Sequence, residues 1–335
     1  MKLIIGPPNS GKTQRAIELL ADWTRRRQSR AVLIVPSDEW AEIARVRLAN
    51  SLGLAELPPT LGNSIITFSR FYFRVLHRTG KSLRLVAGSE REALIRDSLF
   101  GLARQGRLAY FADVVEKPGL VISLVRFIGE LSVSGISSNE YLRFARGPKD
   151  VDIARVFERY TMSLELMGAT DVELAGQAAL AALDARRIRR PFGFVAADQF
   201  DSYTQVQVRL LSAIARNGSE VVATLDYEEG LPVHLWHEPT MKRFNSAGAT
   251  IEKLHREPVG ALEIAARRLM SDNDSASKTN RDADEPAVVI LSAPDRAAEI
   301  RAVAREIKRA LNRCSENAPE TVRPSDIAII SRSKS

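Results

Sequence analysis

The sequence predicts an α/β protein: a parallel sheet with helices on both faces, interrupted by an all-helical block and followed by the start of a second α/β unit. Three observations carry this. Short apolar runs alternate with helical segments over the first 80 residues and again at 192–226. Residues 88–187 show helical periodicity and no convincing strand. The first apolar run also leads into "GPPNSGKT", a fit to G-x-x-x-x-G-K-[ST].

Taken in order, residues 3–6 read as a buried strand and 11–27 as a helix. "AVLIVPS" (31–37) is a second strand followed by a helix over 39–50, and "SIITF" (64–68) is a third, followed by the helix "SRFYFRVLHRT". The helical block holds "EREALIRDSLFGLARQ", "GLVISLVRFIGELSVSG", "DIARVFERYTMSLELMG" and "TDVELAGQAALAALDAR". In the second of these, Leu124, Phe127, Ile128 and Leu131 recur at i, i+3, i+4 and i+7, a core-facing stripe. Thr170 and Asp171 cap the last, with Glu173 in its first turn. Strands resume with "FGFVAAD" (192–198) and "SEVVATLD" (219–226), separated by the helix "TQVQVRLLSAIAR".

Residues 271–286, "SDNDSASKTNRDADEP", are polar and read as a linker. "AVVILSA", "DRAAEIRAVAREIKRAL" and "DIAIISRS" then form one β-α-β unit. Such a unit cannot cover both faces of a parallel sheet, so it is expected to be cut off here or completed by a partner. The predicted domains are 1–87 plus 188–270, the insertion 88–187, the linker 271–286 and an incomplete second domain at 287–335.

Composition narrows the function classes. The net charge of +7, with arginine clusters at "RRRQSR" and "ARRIRR", favours a polyanionic partner. The bland alternative is solvated helix faces. A single cysteine, Cys314, rules out a disulfide framework and an all-cysteine metal site within these residues. No apolar run is long enough to cross a membrane, and no signal peptide is evident, so a cytoplasmic location is expected.

In the loop, glycines let the backbone wrap phosphates with N–H groups inward, and the next helix presents its positive end. Gly6, Asn9, Ser10, Gly11, Lys12 and Thr13 are the candidate nucleotide-binding residues. Lys12 would meet the β/γ-phosphates, and Thr13 would ligate Mg²⁺. Asp198, ending a buried strand, is the second Mg²⁺ residue. Gln199 follows where a motor would carry Glu, and a neutral amide cannot accept a proton. Asp201 is a weak substitute base. ATP binding is expected; rapid hydrolysis is not.

With these pieces in this order, the chain resembles the N-terminal region of a UvrD-like superfamily 1 helicase, and more closely the AddB-type subunit of bacterial helicase–nuclease complexes that process double-strand breaks. "VLIVPSDEWAEIARVRL" resembles the family's second strand and its P-S turn, and "IITFSRFYFRVL" its T-F motif near the DNA path. "KPGLVISLVRFIGELSVSGIS" resembles the inserted helical subdomain, and "ADQFDSYTQVQVRLL" a degenerate acidic motif. The resemblance implies a RecA-like P-loop NTPase domain, the helical insertion and the start of a second RecA-like domain. It also implies DNA as a partner, single-stranded or at double-strand ends, and a second helicase–nuclease subunit. Arg332 matches the position of an arginine that reaches the γ-phosphate. The strand ending "TLDYEEG" keeps Asp226 but lacks the family's γ-phosphate-sensing glutamine.

Lesser candidates remain. Phe68 and Tyr72 are read as possible base-stacking residues, and Phe71 and Phe73 as core. Arg186 and Arg187 are candidate DNA-backbone contacts. Phe200 and Tyr203 are expected to wedge the acidic strand against its next helix. His234 and His237 form a possible metal pair without acidic or cysteine support, so a loop packed around Trp236 is the plainer reading. The rival functions are a working DNA helicase, a small-molecule P-loop kinase, and an interaction module with a relic loop.

Overall fold

A computed structural model describes residues 1–27, 30–80, 82–186, 191–257, 289–312 and 322–330. The chain divides into two compact units, Met1–Glu257 and Pro258–Ser335.

The first unit is α/β. Its strands β1 (Lys2–Gly6), β2 (Ala31–Ile34), β3 (Ile65–Ile66), β6 (Phe194–Ala197), β7 (Glu220–Asp226) and β8 (Thr250–Lys253) form one sheet in the order β3-β2-β6-β7-β1-β8. Every pairing is parallel. Alternation along the strands sends side chains to opposite faces. Leu3 and Ile5 face a core built with α4 (Phe68–Arg78), α9 (Val172–Arg186) and α10 (Gln205–Arg216). Ile4 and Leu33 face the other core, shared with α1 (Lys12–Arg27) and α2 (Asp38–Leu52), and a single-turn α3 (Pro59–Gly62) leads from α2 toward β3. Strands covered on both faces read as continuous apolar runs, which is why β1, β2 and β6 were evident in the sequence. The edge strand β8 was not predicted; Thr250 and Lys253 are exposed, so its sequence carries no apolar run.

Two caps set boundaries. Ser37 accepts from Trp40 N at the start of α2, which a left-handed Gly53 closes. Thr204 and Gln207 form a capping box that starts α10 directly after the acidic strand.

Between β3 and β6 the chain builds the helical module from α5 (Gly88–Arg104), α6 (Pro118–Val133), α7 (Ser138–Arg143) and α8 (Pro148–Leu166) around its own core of Ile95, Leu99, Leu124, Ile128, Phe157 and Tyr160. One expectation fails here. β4 (Arg84–Val86) and β5 (Ala169–Asp171) pair in parallel where the insertion begins and ends. Three residues are too few to show a period, so β5 left no trace in the sequence. Thr170 lies in this strand, while Asp171 ends it and caps α9 by accepting from Leu174 N at 2.6 Å. The alanines and leucines of α9, Ala175, Ala179 and Leu183, join the sheet's core, although the sequence reading grouped that helix with the insertion.

A buried polar node binds the module to α9. Arg91 reaches Asp171 at 3.2 Å and Glu173 at 2.8 Å, and the Tyr160 hydroxyl donates to Asp171 at 2.7 Å. Burial and the Asp171 carboxylate both push the Tyr160 phenol up. Asp152, fully buried, accepts the backbone N–H groups of Ala109, Tyr110 and Phe111 and so pins the turn after α5.

In the second unit the described residues hold α12 (Arg296–Asn312) and a 3-10 turn at Pro324–Asp326. The strands expected at 287–293 and 326–333 are not formed among the described residues; Ile290 and Ile330 are exposed. A parallel strand pair needs cover on both faces, and no residue of α12 is buried to provide it. The predicted linker, 271–286, lies outside the described residues.

Candidate nucleotide site

The C-terminal edge of the sheet collects the site. Register places Gly6 opposite Asp226, and β7 lies between β1 and β6, so the loop after β1, Asp226 and Asp198 emerge on one edge. Open parallel sheets bind ligands there.

The loop's conformation explains its residues. A Cβ on Gly6 would sit 2.6 Å from the Leu254 carbonyl and 2.6 Å from Ser10 Oγ, so only glycine passes. Gly11 has φ +88° and Asn9 φ 61°, left-handed values that glycine and asparagine tolerate best. Space above Gly11 is open, with no atom within 4 Å of a would-be Cβ. Ser10 N donates to the Pro7 carbonyl, and Arg256 donates to the Asn9 carbonyl at 3.0 Å.

Lys12 is buried and folded into this loop. Its ammonium donates to the carbonyls of Gly6 and Pro7 and lies 2.6 Å from Asp226 Oδ1. Thr13 and Gln199 close the other side. The Thr13 hydroxyl donates to Asp198 Oδ1 at 3.3 Å and accepts from Gln199 Nε2. Gln199 itself has φ 66°, a left-handed turn that bends the chain back after β6.

Asp198 is 3% exposed and accepts from Thr224 Oγ1 at 2.6 Å. Burial pushes its carboxyl up, against the hydrogen bonds from Thr224 and Thr13. Below it, Tyr203 is fully buried and donates to the carbonyls of Ala197 and Thr224, bracing β6 against β7. A buried carboxylate beside a threonine hydroxyl, next to a glycine turn that leads into a helix N-terminus, is a donor set that suits Mg²⁺ and a nucleotide phosphate. Thr13 and Asp198 would hold the metal; the loop backbone and Lys12 would hold the phosphates.

A carboxyl protonated to higher pH when folded than when unfolded contributes stability below the usual carboxylate range and loses it as pH rises through the raised value. Asp198→Asn keeps both acceptor contacts and removes the buried charge. At neutral pH it should therefore raise stability, seen as a higher Tm. Mg²⁺-dependent nucleotide binding should be lost. Thermal melting with and without Mg-ATP checks both; an unchanged or lower Tm would mean that Asp198 is not held at a cost.

Other predicted residues fall elsewhere. Phe68 and Tyr72 are 6% and 8% exposed, with Phe68 packed on Phe71, Phe200 and Tyr203; their ring faces are taken by protein, which corrects the base-stacking reading. Tyr203 is buried in, and Phe200 packs against, the core that contains residues of both β6 and α10. Asp201 lies on an exposed turn. The histidine loop is inverted: His234 and His237 are buried and Trp236 is 56% exposed. His234 Nδ1 accepts from Glu228 N, and burial followed by the His234 charge pushes His237 down. No group of three or more His, Cys, Asp or Glu suited to a metal occurs among the described residues. Arg332, Arg187 and the Arg186 side chain lie outside the described residues.

Sequence reasoning missed Thr224, the Lys12–Asp226 contact and Arg256. Only Thr224 left a signal, as a hydroxyl inside the apolar strand "VVATL".

A family model described as ADDB, N-terminal, matches residues 3–281. No curated protein matches the chain. No helix among the described residues is long and apolar enough to cross a membrane.

Proposed function

Since the chain belongs to the ADDB N-terminal family, we propose that it is the ATP- and DNA-binding part of a helicase–nuclease complex acting in double-strand-break repair and recombination, with a motor site that grips nucleotide and turns it over slowly. The partners are a second helicase–nuclease subunit and DNA ends or single strands. The observation that carries this reading is the position of Gln199: its amide is hydrogen-bonded to Thr13, beside Asp198.

Mg-ATP, when bound, supplies a polyphosphate charge for the loop to neutralise and a metal for Thr13 and Asp198 to address. Lys12 must leave Asp226 and the loop carbonyls to meet phosphate oxygens. Thr13 is already aligned by its donation to Asp198. Gln199 can orient a water molecule through its amide but cannot take its proton at neutral pH. Asp201, on its exposed turn, is poorly placed to replace it.

DNA-stimulated ATP hydrolysis, measured beside a Gln199→Glu variant, tests this. The wild type should turn over slowly, and the variant should gain about tenfold or more, because a positioned base contributes roughly 10²–10⁴ in rate. Robust wild-type turnover would support a working helicase instead.

A further inference from the structure

A second cleft lies away from the nucleotide site, among α9, α10 and α11 (Glu238–Ser246). It encloses about 360 Å³ and gathers Arg209, Arg216, Lys242 and Arg243 against a single carboxylate, Asp184. Arg209 and Arg216 are two helical turns apart on α10 and so share one face. Both are exposed, and neither makes an ion pair among the described residues. Arg243 is anchored by donating to the Tyr203 carbonyl at 2.8 Å, and Lys242 is paired only at 3.5 Å, with Glu238. Asp184 lines the cleft, Glu238 pairs Lys242, and Glu140 lies near enough to Arg209 to feel its charge, so the four cations still outnumber the acids and the cleft keeps a positive field that attracts an anion.

The lining also indicates which anion. Ser212 and Ser246 add hydroxyls, and no aromatic side chain lines the cleft among the described residues. Hydroxyls and cations without stacking surfaces grip a phosphate backbone; single-strand grooves interleave aromatics for bases. We propose that this cleft binds the phosphodiester backbone of double-stranded DNA, independently of sequence, through Arg209 and Arg216, with Lys242 and Arg243 supporting them. The inference rests on the DNA-binding reading above and assigns it a surface.

The test uses the full chain and a random-sequence 30-base-pair duplex, titrated over a range of salt. An Arg209→Ala/Arg216→Ala double variant should lose roughly tenfold in affinity at low salt, and the slope of log affinity against log salt should fall by about 2. Lys at both positions should restore the slope, since a point charge suffices for backbone contact. Both side chains are exposed, so Tm should be unchanged. An unchanged slope in the double variant, with the wild type binding duplex normally, overturns this cleft and leaves the DNA reading intact. Failure of the wild type to bind DNA overturns both. Pyrophosphate shifting the wild-type Tm but not the double variant's, with duplex affinity equal in the two, would make the cleft a small-anion site and also overturn the proposal.

Discussion

Lys12→Ala should reduce affinity for ATP by about 30- to 5,000-fold, the range expected when a charge contacting a buried anionic partner is truncated at about 2–5 kcal/mol. Lys12 is the cation carried on the loop itself, and its ammonium lies within reach of the Gly6 and Pro7 carbonyls that outline the phosphate cradle. The fold should hardly respond. In the nucleotide-free protein the main charge partner of Lys12 is Asp226, whose side chain is 49% exposed and is solvated once the lysine is gone. Isothermal titration with Mg-ATP, beside thermal melting, reads both quantities. Unchanged ATP affinity in a folded variant would remove the site assignment. A lower Tm with unchanged affinity would make Lys12 a structural ion-pair residue.

Asp171→Ala should destabilise the first unit by about 3–5 kcal/mol, the typical consequence of deleting one member of a buried ion pair. Asp171 is fully buried and serves three groups at once: the Arg91 guanidinium, the Tyr160 hydroxyl and the Leu174 amide that begins α9. Alanine leaves all three without that acceptor, and Glu173, which still reaches Arg91, replaces only one contact. Asp171→Asn retains an acceptor for Tyr160 and should lose less. Urea unfolding followed by circular dichroism measures the difference. A loss under about 1 kcal/mol for the alanine variant would mean that water reaches Arg91, and that the node does not hold the helical module to α9.

The conformation of the loop after β1 was legible because its determinants are local. A strand and two glycines within a few residues specify its turn, and the left-handed Asn9 and Gly11 follow from that spacing. Gln199 was equally legible, as the residue after an acid at a strand end. The partner of Lys12 was not. Asp226 reaches it only because β7 pairs with β1 in a register that sets Gly6 beside Asp226. Short strands hid for another reason: β5 and β8 are too brief or too exposed to imprint a period.

The aromatic and histidine readings show where local pattern fails. Phe68 and Tyr72 begin a helix whose buried stripe also includes Phe71 and Val75, so the choice between solvent and core depended on what packed above them. That was Phe200 and Tyr203, more than a hundred residues later. In "HLWH" the largest apolar side chain went outward and the two histidines inward, since Glu228 offered His234 a backbone partner.

By itself, then, the sequence determined the α/β class, the helical interruption and the tight glycine turn after β1, because strand burial and glycine geometry act over a few residues. Tertiary structure alone decided which carboxylates meet that loop, which aromatics are walls, and which arginines gather around the cleft between α10 and α11. Those outcomes depend on strand register and helix packing across long separations, and no single window of sequence contains both partners.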